Sequence, residues 1–360
     1  MARALQLARQ GLYTTQPNPR VGCVLVKDGV VVGEGFHARA GEPHAEVHAL
    51  RRAGEQAQGA TAYVTLEPCA HHGRTPPCAD ALIKAGVARV VAAVQDSNPQ
   101  VGGQGFARLH AAGIATESGV LEAEARALNA GFLRRMAGGL PWVRVKLAMS
   151  LDGRTAMASG ESQWITGPAA RRDVQKLRAQ SGAVITGVGT VLADNPSMTV
   201  RAEEWQDWPE GLTPVQPLRV IVDNQLRTPP AARILSLPGR TIMVTTSADA
   251  EKQAALKAAG AEVWQQTGSR VELALLLREL ATAQVNDVLV EAGPTLAGAF
   301  VAAGRVDELI VYQAPTLLGS AAKPLLELPL ATMVEQRRLR VLDARAVGND
   351  WRWTFSLVDA

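Results

Sequence analysis

The run Ala137-Gly138-Gly139-Leu140-Pro141 closes a helical period and prevents its continuation. Glycines favour the left-handed stop of a helix, and proline lacks the amide hydrogen that a further turn needs. The run divides the 360 residues into segments 1–140 and 141–360, each long enough to bury a core of its own. Residue types divide at nearly the same place: all six His and all three Cys precede position 111, and all seven Trp follow position 141. Two differently built domains are expected.

Both segments alternate strand and helix periods. Val21 to Val26 and Val30 to Gly35, joined across Asp28-Gly29, predict a β-hairpin with a type I′ turn. Helical periods are predicted at Ala45 to Ala53, Ala79 to Ala85 and Leu121 to Arg135. The short β-branched runs Thr61 to Leu66 and Ala88 to Val94 between them predict buried, largely parallel strands, and so a three-layer α/β domain. In the second segment, strands are predicted at Trp142 to Ala148, Ala183 to Thr186, Arg219 to Asp223, Thr241 to Thr245, Asp287 to Glu291 and Glu308 to Tyr312. Helices at Pro168 to Ala179, Ala248 to Ala259, Val271 to Ala283 and Pro294 to Ala303 separate several of them, which makes a second α/β domain. Arg201 to Pro217 is predicted as a surface loop.

Charge and apolar patterning exclude several classes. The longest stretch without a charged residue, Ala179 to Ala193, is 15 residues with Gln, Ser, Thr and Gly, too short and polar for a helix across a bilayer of about 30 Å. No membrane partner is expected. Met1 to Arg9 has no apolar core of a secretory signal, and three Cys form no even disulfide framework, so a reducing cytoplasm is the expected setting. Residues 1–140 carry 14 basic and 11 acidic groups and the remainder 23 of each. Neither half is a nucleic-acid surface by charge, and Arg134-Arg135 and Arg337-Arg338-Leu339-Arg340 are read as solvated faces.

The chemistry-bearing cluster is Pro43-His44-Ala45-Glu46, then Glu67-Pro68-Cys69, then Cys78. A hydrolytic zinc site needs three ligands and an open fourth position, and His44, Cys69 and Cys78 meet that need. Glu46, at a helix start two residues past His44, is placed beside the metal without being a ligand, where a proton shuttle belongs. H-x-E followed by P-C is the pattern of zinc deaminases, in which zinc lowers the pKa of bound water to about 7. The second cysteine departs from that pattern, because eight residues separate Cys69 from Cys78 instead of two. A closed structural site completed by His71 or His72 is the internal competitor. Adjacent histidines hardly both ligate, so His71 is read as a substrate contact. Cys23, inside the apolar run Val21 to Val26, is read as packing, and His48 and His110 have no ligand-like company.

Pro17-Asn18-Pro19, Val21-Gly22-Cys23-Val24, Ala40 to Glu46 and Glu67 to Cys78 together resemble the bacterial bifunctional riboflavin-biosynthesis enzymes of the RibD family, whose cysteine spacer has the same length. The resemblance implies a cytidine-deaminase-like three-layer α/β/α domain over 1–140. This domain would remove the 2-amino group of 2,5-diamino-6-(5-phosphoribosylamino)pyrimidin-4(3H)-one. Asn18 and His37 match positions lining the pyrimidine pocket, and His71 lies in the matching loop.

The glycine turn Gly293-Pro294-Thr295-Leu296-Ala297-Gly298-Ala299 follows a strand and opens a helix, and Gly187-Val188-Gly189-Thr190 is similar. Such turns offer free amide hydrogens to a phosphate, although helix–strand packing explains glycines there as well. The resemblance extends through Lys146 to Arg154, Glu161 to Thr166 and Asp194 to Arg201. It implies a dihydrofolate-reductase-like α/β domain over 141–360 that uses NADPH to reduce the ribosyl group of 5-amino-6-(5-phosphoribosylamino)uracil to ribityl. By position, Ala148, Trp164, Thr190, Asp194, Asn224 and Gly293 to Ala299 match cofactor contacts. Ser162, Arg178, Met198, Arg201 and Glu291 match substrate contacts, and Lys146 joins Arg178 and Arg201 as a cation available to a sugar phosphate. Asp194 and Glu291 are read as holding sugar hydroxyls, or one of the two as donating a proton during hydride transfer. One Zn2+ per chain, NADPH or NADP+, phosphorylated pyrimidine substrates and a homo-oligomer through the reductase domain are the expected partners. The rivals are a tRNA-type nucleic-acid deaminase with an accessory binding domain, opposed by the cysteine spacing and neutral second half, and a structural zinc protein.

Overall fold

A computed structural model describes residues 1–71, 76–99, 101–205 and 213–358. The chain divides into two compact units, Met1–Leu140 and Pro141–Ala360.

The first unit runs α1 (Ala2–Ala8), β1 (Gly22–Lys27), β2 (Val30–Phe36), α2 (Ala45–Ala53), β3 (Thr61–Val64), α3 (Cys78–Lys84), β4 (Arg89–Ala92), α4 (Gln104–Ala111), β5 (Ala115–Ser118), α5 (Glu122–Leu128) and α6 (Ala130–Gly138). Its sheet has the order β2-β1-β3-β4-β5. Asp28 and Gly29 join β1 to β2 with φ of 51° and 77°, the two positive values of a type I′ turn. The strands expected to be parallel, Thr61 to Leu66 and Ala88 to Val94, are β3 and β4, and they pair in parallel. The hairpin makes β1 and β2 antiparallel, β1 also runs against β3, and only β3, β4 and β5 are parallel. A two-residue connection reverses the chain, whereas the helical crossovers after β3 and β4 preserve its direction.

The single helix predicted from Leu121 to Arg135 is broken at Asn129. The Asn129 side chain accepts from the Arg20 amide at 2.8 Å and donates to the Arg20 carbonyl at 2.9 Å, standing in for a neighbouring peptide group. Residues of β1 alternate between two cores: Val24 packs with Ala4 and Leu7 of α1, while Cys23 and Leu25 join Ala45 and Ala49 of α2 and Leu82 of α3. Helices therefore cover both faces. The stripe Ala45, Ala49, Ala53 lets α2 lie directly on β2. A Cβ on Gly35 would sit 2.4 Å from the Ala45 carbonyl oxygen, and one on Gly33 2.3 Å from that of Ala49. This close approach fixes where the first turn of α2 points.

The second unit runs β6 (Trp142–Ser150), β7 (Arg154–Ala156), α7 (Pro168–Gln180), β8 (Ala183–Gly187), α8 (Val188–Asp194), β9 (Leu218–Val222), α9 (Arg233–Ser236), β10 (Thr241–Thr245), α10 (Ala250–Ala258), β11 (Ala261–Gln265), α11 (Leu273–Thr282), β12 (Asp287–Glu291), α12 (Pro294–Ala302), β13 (Glu308–Ala314), β14 (Lys323–Pro324), β15 (Leu339–Val347) and β16 (Asp350–Leu357). Its main sheet has the order β11-β10-β9-β8-β12-β6-β13-β16-β15, and β7 pairs separately with β14. β10 and β12 are buried at every residue, as expected for parallel strands covered on both faces. From β8 the chain moves outward through β9, β10 and β11, then returns to place β12 on the other side of β8. The connections after β8 and β12 thus leave neighbouring strand ends in opposite directions, which opens a crevice at that edge of a parallel sheet. β11 and the hairpin β15–β16 were not predicted; β15 is mostly exposed and lacks an inward apolar face to announce it. Of the loop predicted at Arg201 to Pro217, residues 206–212 lie outside the described residues.

Candidate active sites

In the first unit, three elements bring together what the sequence separates. His44 is the extended residue immediately before α2, Cys78 is the first residue of α3, and Cys69 lies in the loop after β3. Their ligand atoms lie within 4.8 Å of one another. His44 Nδ1 is 3.7 Å from Cys69 Sγ and 3.3 Å from Cys78 Sγ. A tetrahedral zinc ion with bonds of about 2.0–2.3 Å places adjacent ligand atoms about 3.5 Å apart, so the three atoms fit one face of such an ion. The connection is held by the Ala79 amide, which donates to the Cys69 carbonyl at 3.1 Å, and by the Cys78 amide, which donates to Cys69 Sγ at 3.3 Å. His71 is exposed and is not part of this cluster; His72 lies outside the described residues.

Glu46 is 3% exposed, and its Oε2 has no hydrogen-bond partner among the described residues. Burial, with Cys69 close by, pushes its carboxyl up to about 6. A carboxyl in that range accepts and releases a proton near neutrality. A hydrogen bond from Cys78 draws the Cys69 thiol down to about 4, and Cys78 is held up in return. The bond to Cys69 raises the His44 imidazole.

Beside this cluster, the His37 and His44 rings meet edge to face, with centroids 5.2 Å apart. His37 Nδ1 lies 3.2 Å from the Pro43 carbonyl oxygen, and its Nε2 lies 3.1 Å from Asn18 Nδ2. A carbonyl oxygen only accepts, so Nδ1 carries the hydrogen and Nε2 accepts from the Asn18 amide. Burial lowers the His37 pKa, consistent with a neutral ring. Asn18 Oδ1 is left as an acceptor. Cys23 is fully buried in β1, where burial raises its thiol, and His110 pairs with the Thr116 hydroxyl.

Glu67 is the residue that sequence reasoning passed over. Its Oε2 accepts the amides of Asp96 at 3.1 Å and Gly103 at 2.9 Å, and its Oε1 accepts those of Gly105 at 2.9 Å and Phe106 at 3.3 Å. Two residues before Cys69, this carboxylate ties the β4–α4 connection to the metal-type cluster. An acidic residue in the Glu67-Pro68-Cys69 run was the available signal.

The second unit carries a cavity of about 1110 Å³ at the ends of β8 and β12. Lys146, Ala148, Ser162, Trp164, Arg178, Thr190, Asp194, Met198, Arg201, Asn224 and Glu291 all line it, as do Gly293, Pro294, Thr295, Leu296 and Ala299. Ala297 and Gly298 do not, which narrows the expected Gly293 to Ala299 set. Ala297 is fully buried, and a Cβ on Gly298 would sit 2.2 Å from the Glu327 carbonyl oxygen; that glycine serves helix packing.

Arg178 grips Glu291 with both ends of its guanidinium, at 2.6 and 2.9 Å, and donates to the Thr199 carbonyl at 3.0 Å. Lys146, on β6, is in register with Glu291 on β12. Burial pushes Glu291 up, but Arg178 and then Lys146 and Arg201 bring it below the usual carboxylate range. Burial lowers Lys146, whose Nζ lies 5.9 Å from the Tyr312 ring centroid. The Ser162 hydroxyl donates to Asp194 Oδ1 at 3.2 Å. Asn224 Oδ1 accepts the Val271 amide at 2.8 Å, and Arg201 pairs with Glu204 at 2.8 Å. Trp164 is 68% exposed, with the Arg171 guanidinium 4.5 Å from its ring centroid.

Residues 1–94 match the family described as the cytidine and deoxycytidylate deaminase zinc-binding region, and residues 141–352 match the RibD C-terminal domain. The riboflavin biosynthesis protein RibD of Escherichia coli is 56% identical, with 97% of this chain and 96% of that protein covered. The Haemophilus influenzae protein of the same name is 50% identical, with 99% and 96% covered. Among solved structures, Acinetobacter baumannii RibD (form 1) is similar at 50% identity and a TM-score of 0.93, covering 99% of this chain and 98% of that one. A Thermotoga maritima structure titled as a diaminohydroxyphosphoribosylaminopyrimidine deaminase/5-amino-6-(5-phosphoribosylamino)uracil reductase is similar at 33% identity and a TM-score of 0.88, covering 99% and 97%. With a mixed α/β fold, a cytidine-deaminase-like first unit and a reductase second unit, the chain belongs to the RibD family of bifunctional deaminase/reductases of riboflavin biosynthesis.

Proposed function

We propose that the first unit hydrolyses the 2-amino group of 2,5-diamino-6-(5-phosphoribosylamino)pyrimidin-4(3H)-one and that the second reduces the ribosyl group of the resulting uracil to ribityl. The observation that carries the first step is the convergence of His44, Cys69 and Cys78 beside a buried carboxyl with one oxygen unpartnered among the described residues. Zinc held by these three residues supplies a water acidified to a pKa near 7. Glu46 Oε2 takes the proton of the attacking water and returns it to the amine, which leaves as ammonia. Asn18 Oδ1 accepts from the pyrimidine edge, with the amide oriented by His37. His71 contacts substrate from the exposed rim.

NADPH supplies the hydride of the second step, to C1′ of the ribosyl group. Gly293 to Leu296 and Ala299, with Thr190, Asp194, Asn224, Ala148 and Trp164, form the cofactor side of the cavity. Ser162, Met198, Lys146 and Arg201 face the substrate. Both Glu291 oxygens are engaged by Arg178, so Glu291 acts as an ionised anchor and Arg178 positions it. That leaves Asp194, whose Oδ1 accepts the Ser162 hydroxyl, and Lys146, whose pKa burial lowers, to deliver a proton to the opened sugar oxygen.

The chain works on small phosphorylated pyrimidines in a reducing cytoplasm, where free cysteines stay available to metal. A homo-oligomer through the second unit is supported by exposed Met333, Val334, Leu339, Val341 and Trp351. No helix among the described residues is long and apolar enough to cross a membrane. The test is incubation with the diaminopyrimidine phosphate with and without NADPH. Deaminated product alone in the first case and ribityl product in the second is expected. Glu46→Gln should keep its zinc and its reduction of supplied uracil while losing at least 100-fold in deamination; loss of zinc would make Glu46 a ligand and end this mechanism.

A further inference from the structure

Helix α4 meets the loop that carries Cys69 on both sides of the cysteine. Before it, the Glu67 carboxylate accepts the amides of Gly103, Gly105 and Phe106 at the start of α4. Gly105 lies against Pro68 so closely that a Cβ would sit 2.0 Å from the Pro68 carbonyl oxygen. After the cysteine, Arg108 Nη1 donates to the Ala70 carbonyl at 2.9 Å. The same guanidinium reaches a second segment, where its Nε pairs with Asp80 Oδ1 at 2.6 Å. Asp80 lies in the first turn of α3, two residues past Cys78.

One side chain thus joins the residue after Cys69 to the helix that Cys78 begins, across the eight-residue spacer. Its base is fixed, because Leu109 beside it is fully buried in the same core as Leu82 of α3. The backbone bonds from Ala79 to the Cys69 carbonyl and from Cys78 to Cys69 Sγ join the cysteines to each other, whereas Arg108 ties both segments to α4. A guanidinium suits this task because its donors form a rigid planar fork, and an ammonium is a single point of charge.

The Arg108 and Asp80 side chains are 43% and 35% exposed, and an ion pair so exposed adds little to global stability. A metal site is more sensitive, since loss of a partner that orients its ligands costs about 10–100-fold in affinity or activity. We propose that Arg108 is a positioning residue of the deaminase centre, holding the Cys69 and Cys78 segments in register so that zinc is retained and turnover supported without contact to substrate. The inference rests on the reading of His44, Cys69 and Cys78 as the zinc ligands.

The experiment follows zinc release from the full-length, zinc-loaded protein into excess chelator, alongside steady-state deamination. Arg108→Ala should release zinc about 10-fold faster and lower the deamination kcat about 10-fold, the low end for an indirect partner. KM for the diaminopyrimidine phosphate should stay within twofold, and reduction of supplied uracil and the melting temperature should not change. Arg108→Lys should fall between the two proteins, and Arg108→Ala/Asp80→Ala should release zinc no faster than Arg108→Ala, because the pair acts as one unit. Arg126→Ala, which breaks another exposed pair of the first unit, to Glu122 at 2.6 Å, should leave zinc release unchanged. Equal acceleration in Arg126→Ala would mean general loosening and overturn the proposal. Release and kcat within twofold of wild type in Arg108→Ala would overturn it too, and full rescue by lysine would overturn the two-point clamp. A raised KM with kcat preserved would make Arg108 a substrate contact instead. Failure of the wild-type chain to take up zinc would overturn the ligand reading itself, whatever the variants do.

Discussion

Glu67→Gln isolates what a buried carboxylate contributes when all its partners are backbone amides. Each oxygen accepts two of them, from Asp96 and Gly103 on one side and Gly105 and Phe106 on the other. Glutamine keeps one accepting oxygen and turns an NH2 toward the other two amides, so two donors lose their partner. A buried donor left unsatisfied costs about 1–3 kcal/mol. Glu67 is 6% exposed, but Asp96 and Phe106 are only partly buried, which favours a total of about 2–4 kcal/mol. Hydrogen–deuterium exchange reads this directly: amides in the β4–α4 connection should lose protection by about 30-fold to several-hundred-fold. Deamination should fall at least 10-fold, while reduction of supplied uracil persists. All seven tryptophans follow position 141, so their fluorescence reports the second unit separately. Protection within twofold of wild type, with deamination unchanged, would refute the anchoring role of Glu67.

Two further perturbations test the second unit. Arg178→Ala leaves the Glu291 carboxylate 8% exposed without its bidentate partner, at a cost of about 3 kcal/mol at pH 7, the low end for a broken buried pair because Lys146 remains nearby. In wild type, Glu291 is lowered by Arg178, so the pair's stabilisation is full above the ordinary carboxylate range and fades as pH falls through the depressed pKa. In the variant, burial dominates and acid relieves the unpaired charge. Urea midpoints of the two proteins should therefore converge toward pH 4, and a pH-independent gap would refute the linkage. Gly293 and Gly298 should separate function from packing. A Cβ on Gly293 meets nothing within 4 Å among the described residues, whereas one on Gly298 meets the Glu327 carbonyl. Gly293→Ala should change stability by less than about 1 kcal/mol while raising the KM for NADPH. Gly298→Ala should cost about 1–3 kcal/mol by overpacking; equal melting temperatures would contradict this assignment.

Much of this protein is determined locally, and that part is legible along the chain. The helix stop before Pro141, the Asp28-Gly29 hairpin, α2 and the strands β10 and β12 follow from turn chemistry and from the period of apolar residues, which act over a few neighbours. The chemistry of the first site is legible for a similar reason. Histidine, glutamate and two cysteines at suitable spacing are scarce and specific for metal, and they need only be brought together. The tertiary structure decided the matters that depend on partners distant in sequence. Asn129 breaks a continuous helical period because its amide finds Arg20, 109 residues away. Glu67 looked like a companion of Cys69 until four amides from residues 96 to 106 were folded around it. Gly298 and Gly293 are alike in sequence, yet one faces the Glu327 backbone and the other open space. Arg178 and Glu291 lie 113 residues apart, and their pairing decides which groups in the cavity remain free. Local sequence sets the geometry of each element, whereas charge, burial and hydrogen bonding are settled by whichever elements the fold places alongside.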